Sequence, residues 1–377
     1  MTDLDPVALA IELISIDSVN SQLVPGAAGE GPLAAYCAEW FSTRGFGVRV
    51  HESIPGRPSV VATAKGTGGG RSLMLNGHLD TVGVATWVGE PFIPEVSDGN
   101  LYGRGAFDMK GSVAAIMVAA ARTAGQTAGD VIVTLVADEE FGSIGTEEIL
   151  AHHTADAAII AEPSGLELTL AHRGFGWFEI AIEGVAAHGS LPEQGVDAIA
   201  HARRIMTALD ELRGQLESGP GHPTLGHGTV RVATIVGGVD AATVAPSCVL
   251  TVERRFLPGE SPDAVETQLR AFVEGVESGG TTTVLTRLVA RGAFEADPSW
   301  PIVRAVSARA EAVLSRPVAT RGEPFWTDAG LVLEAGIPCL ILGVDGGGAH
   351  ADSEWATVES IEQLTDIFEG TIRDFCG

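Results

Sequence analysis

Short, near-continuously apolar runs alternate with helical patterns along most of this chain, and that alternation constrains its fold more than any other feature. SLMLNGH (72–78), DVIVTLVAD (130–138) and DAAIIAE (156–162) read as strands buried on both faces. Apolar residues recur at helical spacing from Pro6 to Ile16, from Pro32 to Arg44 and from about Lys110 to Arg122, and a further helix is expected near 145–152. FGVRV (46–50) and SVVATA (59–64) are additional strands. GTGGG (66–70) is a flexible turn, since no strand-to-helix phosphate-loop pattern surrounds it. Buried strands alternating with helices predict an α/β domain with a mostly parallel central sheet.

The pattern changes after Gly174. WFEIAIEG (177–184), a helix at about 195–213, TVRVATIVGG (229–238), CVLTVERRF (248–256), a helix at about 262–276 and TTTVLTRLVA (281–290) form a β-α-β-β-α-β series. That order is a small α+β sandwich. Alternation then resumes with WPIVRAVSARAEAVL, IPCLILGV and a last helix near 359–375. The expected organisation is one α/β domain in two pieces, 1–174 and 292–377, interrupted by an inserted domain at 175–291.

The 377 residues carry 23 Lys+Arg against 49 Asp+Glu, a formal charge of −26. Binding to phosphates relies on clustered basic side chains, so this balance argues against nucleic acid and against an anionic membrane as partners. The start, MTDLDPVALAIELIS, carries Asp3 and Asp5 where a signal peptide would be basic, and reads as a helix start. The apolar run SVAAIMVAAA (112–121) is far shorter than the roughly 20 residues of a membrane span. Four dispersed cysteines without a CxxC pair argue against a disulfide framework and fit a reducing compartment. A soluble, cytoplasmic protein is expected.

Several acidic residues fall beside histidines at predicted strand ends. His78 and Asp80, two apart, share a face, and a carboxylate there can orient a metal-bound imidazole; the alternative is a polar strand end with a satisfied histidine. Asp108 precedes the small-residue helix, where it either bridges two metals or serves as an ordinary N-cap. Asp138, Glu139 and Glu140 follow a buried strand. Their mutual repulsion calls for bound cations or a raised pKa, unless they form a solvated acidic turn. Glu162 closes another strand before the stiff Pro163, and His350 sits in a Gly-rich loop. Two histidines with three or more carboxylates make a mixed nitrogen and oxygen set suited to zinc, cobalt or manganese.

With these motifs in order, the chain resembles the metallo-amidohydrolase and peptidase family of acetylornithine deacetylase, succinyl-diaminopimelate desuccinylase, aminoacylase and glutamate carboxypeptidase. The resemblance rests on GHLDTV (77–82), the following Trp87 and Pro91-Phe92, DGNLYGRGAFDMKG (98–111), DEEFG (138–142), AEP (161–163), and His350 with Glu354. In the inserted segment it rests on GVAAHGSLPEQGVDAI (184–199) and ERRFLPGE (253–260). It implies a zinc-peptidase-like catalytic domain interrupted by a smaller lid or dimerisation domain, and a homodimer. It implies two divalent ions, zinc with cobalt or manganese as alternatives: one held by His78, Asp108 and Glu162, the other by Asp108, Glu140 and His350. Glu139 would be the general base, Asp80 the orienter of His78, His188 the donor to a tetrahedral oxyanion, and Arg255 the grip on a substrate carboxylate. Thr243 stands where relatives carry Asn, so substrate recognition in the lid departs from the pattern. The implied reaction is hydrolysis of the amide in a small N-acyl amino acid, acetylornithine-like. A dipeptidase or carboxypeptidase is the alternative, and a non-catalytic metal-binding relative a more remote one.

Overall fold

A computed structural model describes residues 4–377; Asp3, read above as part of the acidic helix start, lies outside them. The chain divides into two compact units. The first runs to Leu170 and includes Ala296–Arg321 and Thr327–Gly377; the second comprises Ala171–Glu295 and Gly322–Trp326. The second unit is thus a few residues longer at each end than the expected 175–291, and takes in a short later segment.

In the first unit, strands Val131–Val136, Leu73–His78, Ala157–Ile160 and Cys339–Ile341 lie side by side and parallel. Ser59–Ala64 pairs antiparallel to Val131–Val136, and Gly47–His51 antiparallel to Ser59–Ala64. On the other side Leu168–His172 meets Cys339–Ile341 antiparallel through Thr169 and Ile341. The sheet is therefore parallel at its centre and antiparallel at its margins. Every residue of VIVTLV and LMLNGH is buried, as continuous apolar runs require. Helix Gly111–Thr123 is buried along nearly its whole length, and its small residues let it pack closely on the C-terminal helix Val358–Cys376.

The parallel strands end earlier than the apolar runs suggest, at Val136 and Ile160, so Asp138 to Glu140 and Glu162 leave the sheet at its carboxyl end, beside His78. Gly343 is needed there: a Cβ on it would lie 2.2 Å from the carbonyl oxygen of Glu162. A small second sheet went unread in the sequence. Glu95–Ser97, Asn100–Tyr102, Trp355–Thr357 and Gly346–Gly347 pair antiparallel, and Asn100–Tyr102 against Trp355–Thr357 fastens the segment before Asp108 to the segment after His350. These strands are two or three residues long, too short to leave a periodic signal.

The second unit is a four-stranded antiparallel sheet in the order Thr229–Gly237, Ser247–Phe256, Gly174–Glu183, Thr282–Arg291. Strand Gly174–Glu183 alternates buried and more exposed residues, and Phe178, Ile180 and Ile182 pack with Ile205, Leu209, Leu250, Val252 and Leu269. Its helices Ala198–Ser218 and Pro262–Glu274 are capped by Asp197 and Ser261, whose side chains accept from the amides of Ala200 and Ala264. No helix among the described residues is long and apolar enough to cross a membrane.

Candidate active site

At the carboxyl ends of the central parallel strands, two histidines and four carboxylates converge. His78, fully buried, points Nε2 at Asp108 Oδ1 at 3.0 Å, with Glu162 Oε1 at 3.8 Å. The second Asp108 oxygen lies 3.5 Å from His350 Nε2, which also approaches Glu140 Oε2 at 3.0 Å. Asp108 thus stands between the two histidines. It does not cap the following helix, whose N-cap is Lys110 without a side-chain bond. Ligand atoms of His78, Asp108 and Glu140 lie within 4.8 Å of one another, as do those of His78, Glu139 and Glu162.

Glu139 and Glu140 are not a solvated acidic turn. Burial, reinforced by Glu162 and Asp328, pushes the Glu139 carboxyl well above its ordinary range. Burial together with Asp108 pushes Glu140 up to about 7, and burial raises Glu162 well above the ordinary carboxylate range. His350, hydrogen-bonded to Asp108 and Glu140, is raised to about 10. Burial disfavours charge on His78, yet Asp108, Glu162 and Asp80 together hold its pKa well above the usual value. Asp108, despite its burial, is held well below the carboxylate range by the two histidines. The cluster therefore holds protons where positive charge is wanted. Oε1 of Glu140 is buried with no hydrogen-bond partner. An orphaned acceptor among convergent nitrogen and oxygen donors fits divalent cations.

The bond that orients His78 differs from expectation. Nδ1 meets the main-chain carbonyl of Asp80 at 2.8 Å, whereas the nearest Asp80 carboxylate oxygen is 3.7 Å away. That carboxylate is already engaged. It accepts the amides of Glu139 and Glu140, both at 3.1 Å, and Nδ2 of Asn20 at 2.7 Å. Asp80 thus fixes the backbone of both glutamates.

A buried ionic network lies alongside. Arg57 donates from Nε and Nη2 to Glu30 at 2.9 and 2.7 Å, and from Nη2 to Asp138 at 2.6 Å. Asn20 links Asp138 to Asp80, and the amide of Asp138 donates to Glu30. Asp138 takes a left-handed φ of 71°, and the amides of Gly142 and Ser143 return to its carbonyl, closing the turn that carries Glu139 and Glu140. Replacing Arg57 with Met leaves two buried carboxylates without their cation. We expect a loss of about 3–5 kcal/mol in unfolding free energy by urea titration, and a loss below about 1 kcal/mol would refute the assignment.

Asp328 and Arg104 carried no role in the sequence reading, and Glu354 entered it only as part of a motif with His350. Asp328 is buried beside Glu139, accepts from Thr146 Oγ1 at 2.5 Å and is raised to about 6 by burial. The segment 322–330 is divided between the units: Gly322–Trp326 belongs to the second and Asp328 to the first.

In the second unit, His188 and Thr243 face each other across an isolated β-bridge. The Ser190 amide donates to His188 Nδ1, which assigns the ring proton to the exposed Nε2. Thr243 Oγ1 donates to Asp240 at 3.1 Å. Arg255 is partnered already: Nη2 meets Glu253 at 3.0 Å and the guanidinium lies 5.3 Å from the Phe175 ring centre. The neighbouring Arg254 is fully buried and bound to Glu260, a structural role that the sequence left undivided between the two.

Comparison with known proteins gives a consistent picture. The sequence model described as peptidase family M20/M25/M40 matches residues 74–374. N-formyl-4-amino-5-aminomethyl-2-methylpyrimidine deformylase from Bacillus subtilis is 30% identical, over 98% of this chain and 94% of the relative. Acetylornithine deacetylase from Myxococcus xanthus is also 30% identical, covering 98% and 97%. Among solved structures, a dinuclear metal binding peptidase of the M20 family from Bacillus subtilis superposes with a TM-score of 0.75 at 16% identity, covering 98% of each chain.

Proposed function

The chain belongs to peptidase family M20/M25/M40, metal-dependent hydrolases acting on amide bonds, and from that membership we propose that it removes a small acyl group, acetyl or formyl, from an N-acylated amino acid or amine. The convergence of His78, Asp108, Glu140, Glu162 and His350 around a carboxylate placed between two imidazoles carries this reading. Two full-length relatives at 30% identity, both named for removal of a one- or two-carbon acyl group, support the substrate class. An acetylated amino acid of the acetylornithine kind is our first choice.

His78, Asp108 and Glu162 would hold one divalent ion, and Asp108, Glu140 and His350 the other. Zinc suits this donor set, as do cobalt and manganese. Such ions, when bound, polarise the scissile carbonyl and acidify water. Glu139 takes the proton of the attacking water and delivers it to the departing amine nitrogen. Its carboxylate, buried beside Glu162 and Asp328, is the group that carries the proton between the two transfers. Asp80, by accepting the Glu139 and Glu140 amides, keeps the base and the adjacent ligand in register. His188 presents its Nε2 proton to the developing oxyanion. Arg255 answers a substrate carboxylate only in competition with Glu253, and Thr243 lies across a β-bridge from His188. A homodimer belongs to this proposal: Ile235 and Val236, on an edge strand, are exposed as a second copy would require.

The test combines metal analysis of the purified protein with turnover of N-acetylornithine, the formylated aminomethylpyrimidine, N-succinyl-diaminopimelate and dipeptides. We expect two ions per chain and hydrolysis of an acetyl or formyl substrate, abolished by a chelator. Faster dipeptide cleavage would overturn the deacylase reading in favour of a peptidase.

A further inference from the structure

We propose that Glu354 is a positioning residue that sets the affinity of the metal centre by holding Asp108 and the His350 loop in one register. This rests on the ligand assignment given above. Glu354 touches none of the reacting groups, and it is completely buried. Its two oxygens are saturated by one short segment. Oε1 accepts the amides of Phe107 at 2.9 Å and of Asp108 itself at 2.8 Å; Oε2 accepts the amide of Gly105 at 3.0 Å and Nη1 of Arg104 at 2.7 Å. Arg104, also buried, reaches back from Nη2 to the carbonyl of Ala351 at 2.7 Å, next to His350, and to that of Gly83 at 3.3 Å.

The consequence is geometric. His350 is 57% exposed in its side chain and adopts a left-handed φ of 61°, so local packing does little to fix it. Its distance to Asp108 is set instead through the chain 350–354 and the four bonds of Glu354. One carboxylate thereby determines where the shared ligand and the C-terminal histidine stand relative to each other. Groups that orient ligands from behind typically govern metal affinity by about 10–100-fold.

The test uses the full-length protein, stripped of metal and titrated with zinc against a chromophoric chelator. Glu354→Gln removes the charge opposite Arg104. Glu354→Asp keeps that charge but withdraws the oxygens by one methylene, so it separates positioning from charge balance and decides the matter should the glutamine variant fail to fold. We expect both variants to bind zinc about 10–100-fold more weakly than the wild type. Turnover should return at saturating zinc with KM unchanged, a recovery that a general folding defect would not show. A folded Glu354→Asp protein with wild-type zinc affinity would overturn the proposal. A wild-type chain that binds no zinc would overturn instead the ligand assignment beneath it.

Discussion

Glu139→Gln is expected to lower kcat by about 10²–10⁴-fold while both ions stay bound, the range that a positioned general base contributes. The substitution is nearly isosteric, and the Glu139 amide, which bonds Asp80, is untouched. The turn and the neighbouring Glu140 should therefore keep their places. What is lost is the capacity to accept a proton. Turnover must be measured alongside metal content, because Glu139 also lies within ligand distance of His78 and Glu162. Two bound ions with little turnover identify Glu139 as the base. Loss of an ion would make it a ligand, and unchanged turnover would remove it from the chemistry.

Asp108→Ala should have the larger effect on metal. Among the described residues, Asp108 is the one carboxylate that lies against both histidines, 3.0 Å from His78 and 3.5 Å from His350. Residues that merely orient ligands cost about 10–100-fold in affinity, so removing a shared ligand should exceed about 100-fold at both positions. We expect a folded protein holding less than one ion per chain after dialysis, with turnover at background. Retention of two ions would refute Asp108 as the bridging group. Loss of only one would confine it to a single position.

The ligand candidates were legible because they break local rules. Three consecutive acids after VIVTLV cannot be comfortable in an ordinary turn, and His78 and Glu162 interrupt apolar runs at the point where a strand should simply stop. The long central strands were equally legible, since burial on both faces writes itself as unbroken valine, isoleucine and leucine. The pairings of Arg57 with Glu30 and Asp138, and of Glu354 with Arg104, were not. Nothing among the sequence neighbours signals them, because each partner is far away: Arg57 meets Asp138, 81 positions on, and Glu354 meets Arg104, 250 positions back. The engagement of the Asp80 carboxylate was hidden for a related reason. Spacing of two places its carboxylate near His78, but only the folded turn reveals that two backbone amides reach it first.

The 250-residue separation of Arg104 and Glu354 also bears on biosynthesis. At about 5–20 residues per second, a ribosome needs on the order of 10–50 s to deliver the anion after the cation has emerged. During that interval the whole of Ala171–Glu295 is made, a unit with its own core, while the first unit still lacks His350, Asp328 and the strand Cys339–Ile341. Until Glu354 arrives, burying Arg104 would strand an uncompensated charge, which disfavours closure of the N-terminal piece around a half-built site. On the ligand assignment proposed above, metal capture would wait until the chain is nearly complete, and a nascent fragment would be spared from trapping an ion in an incomplete centre.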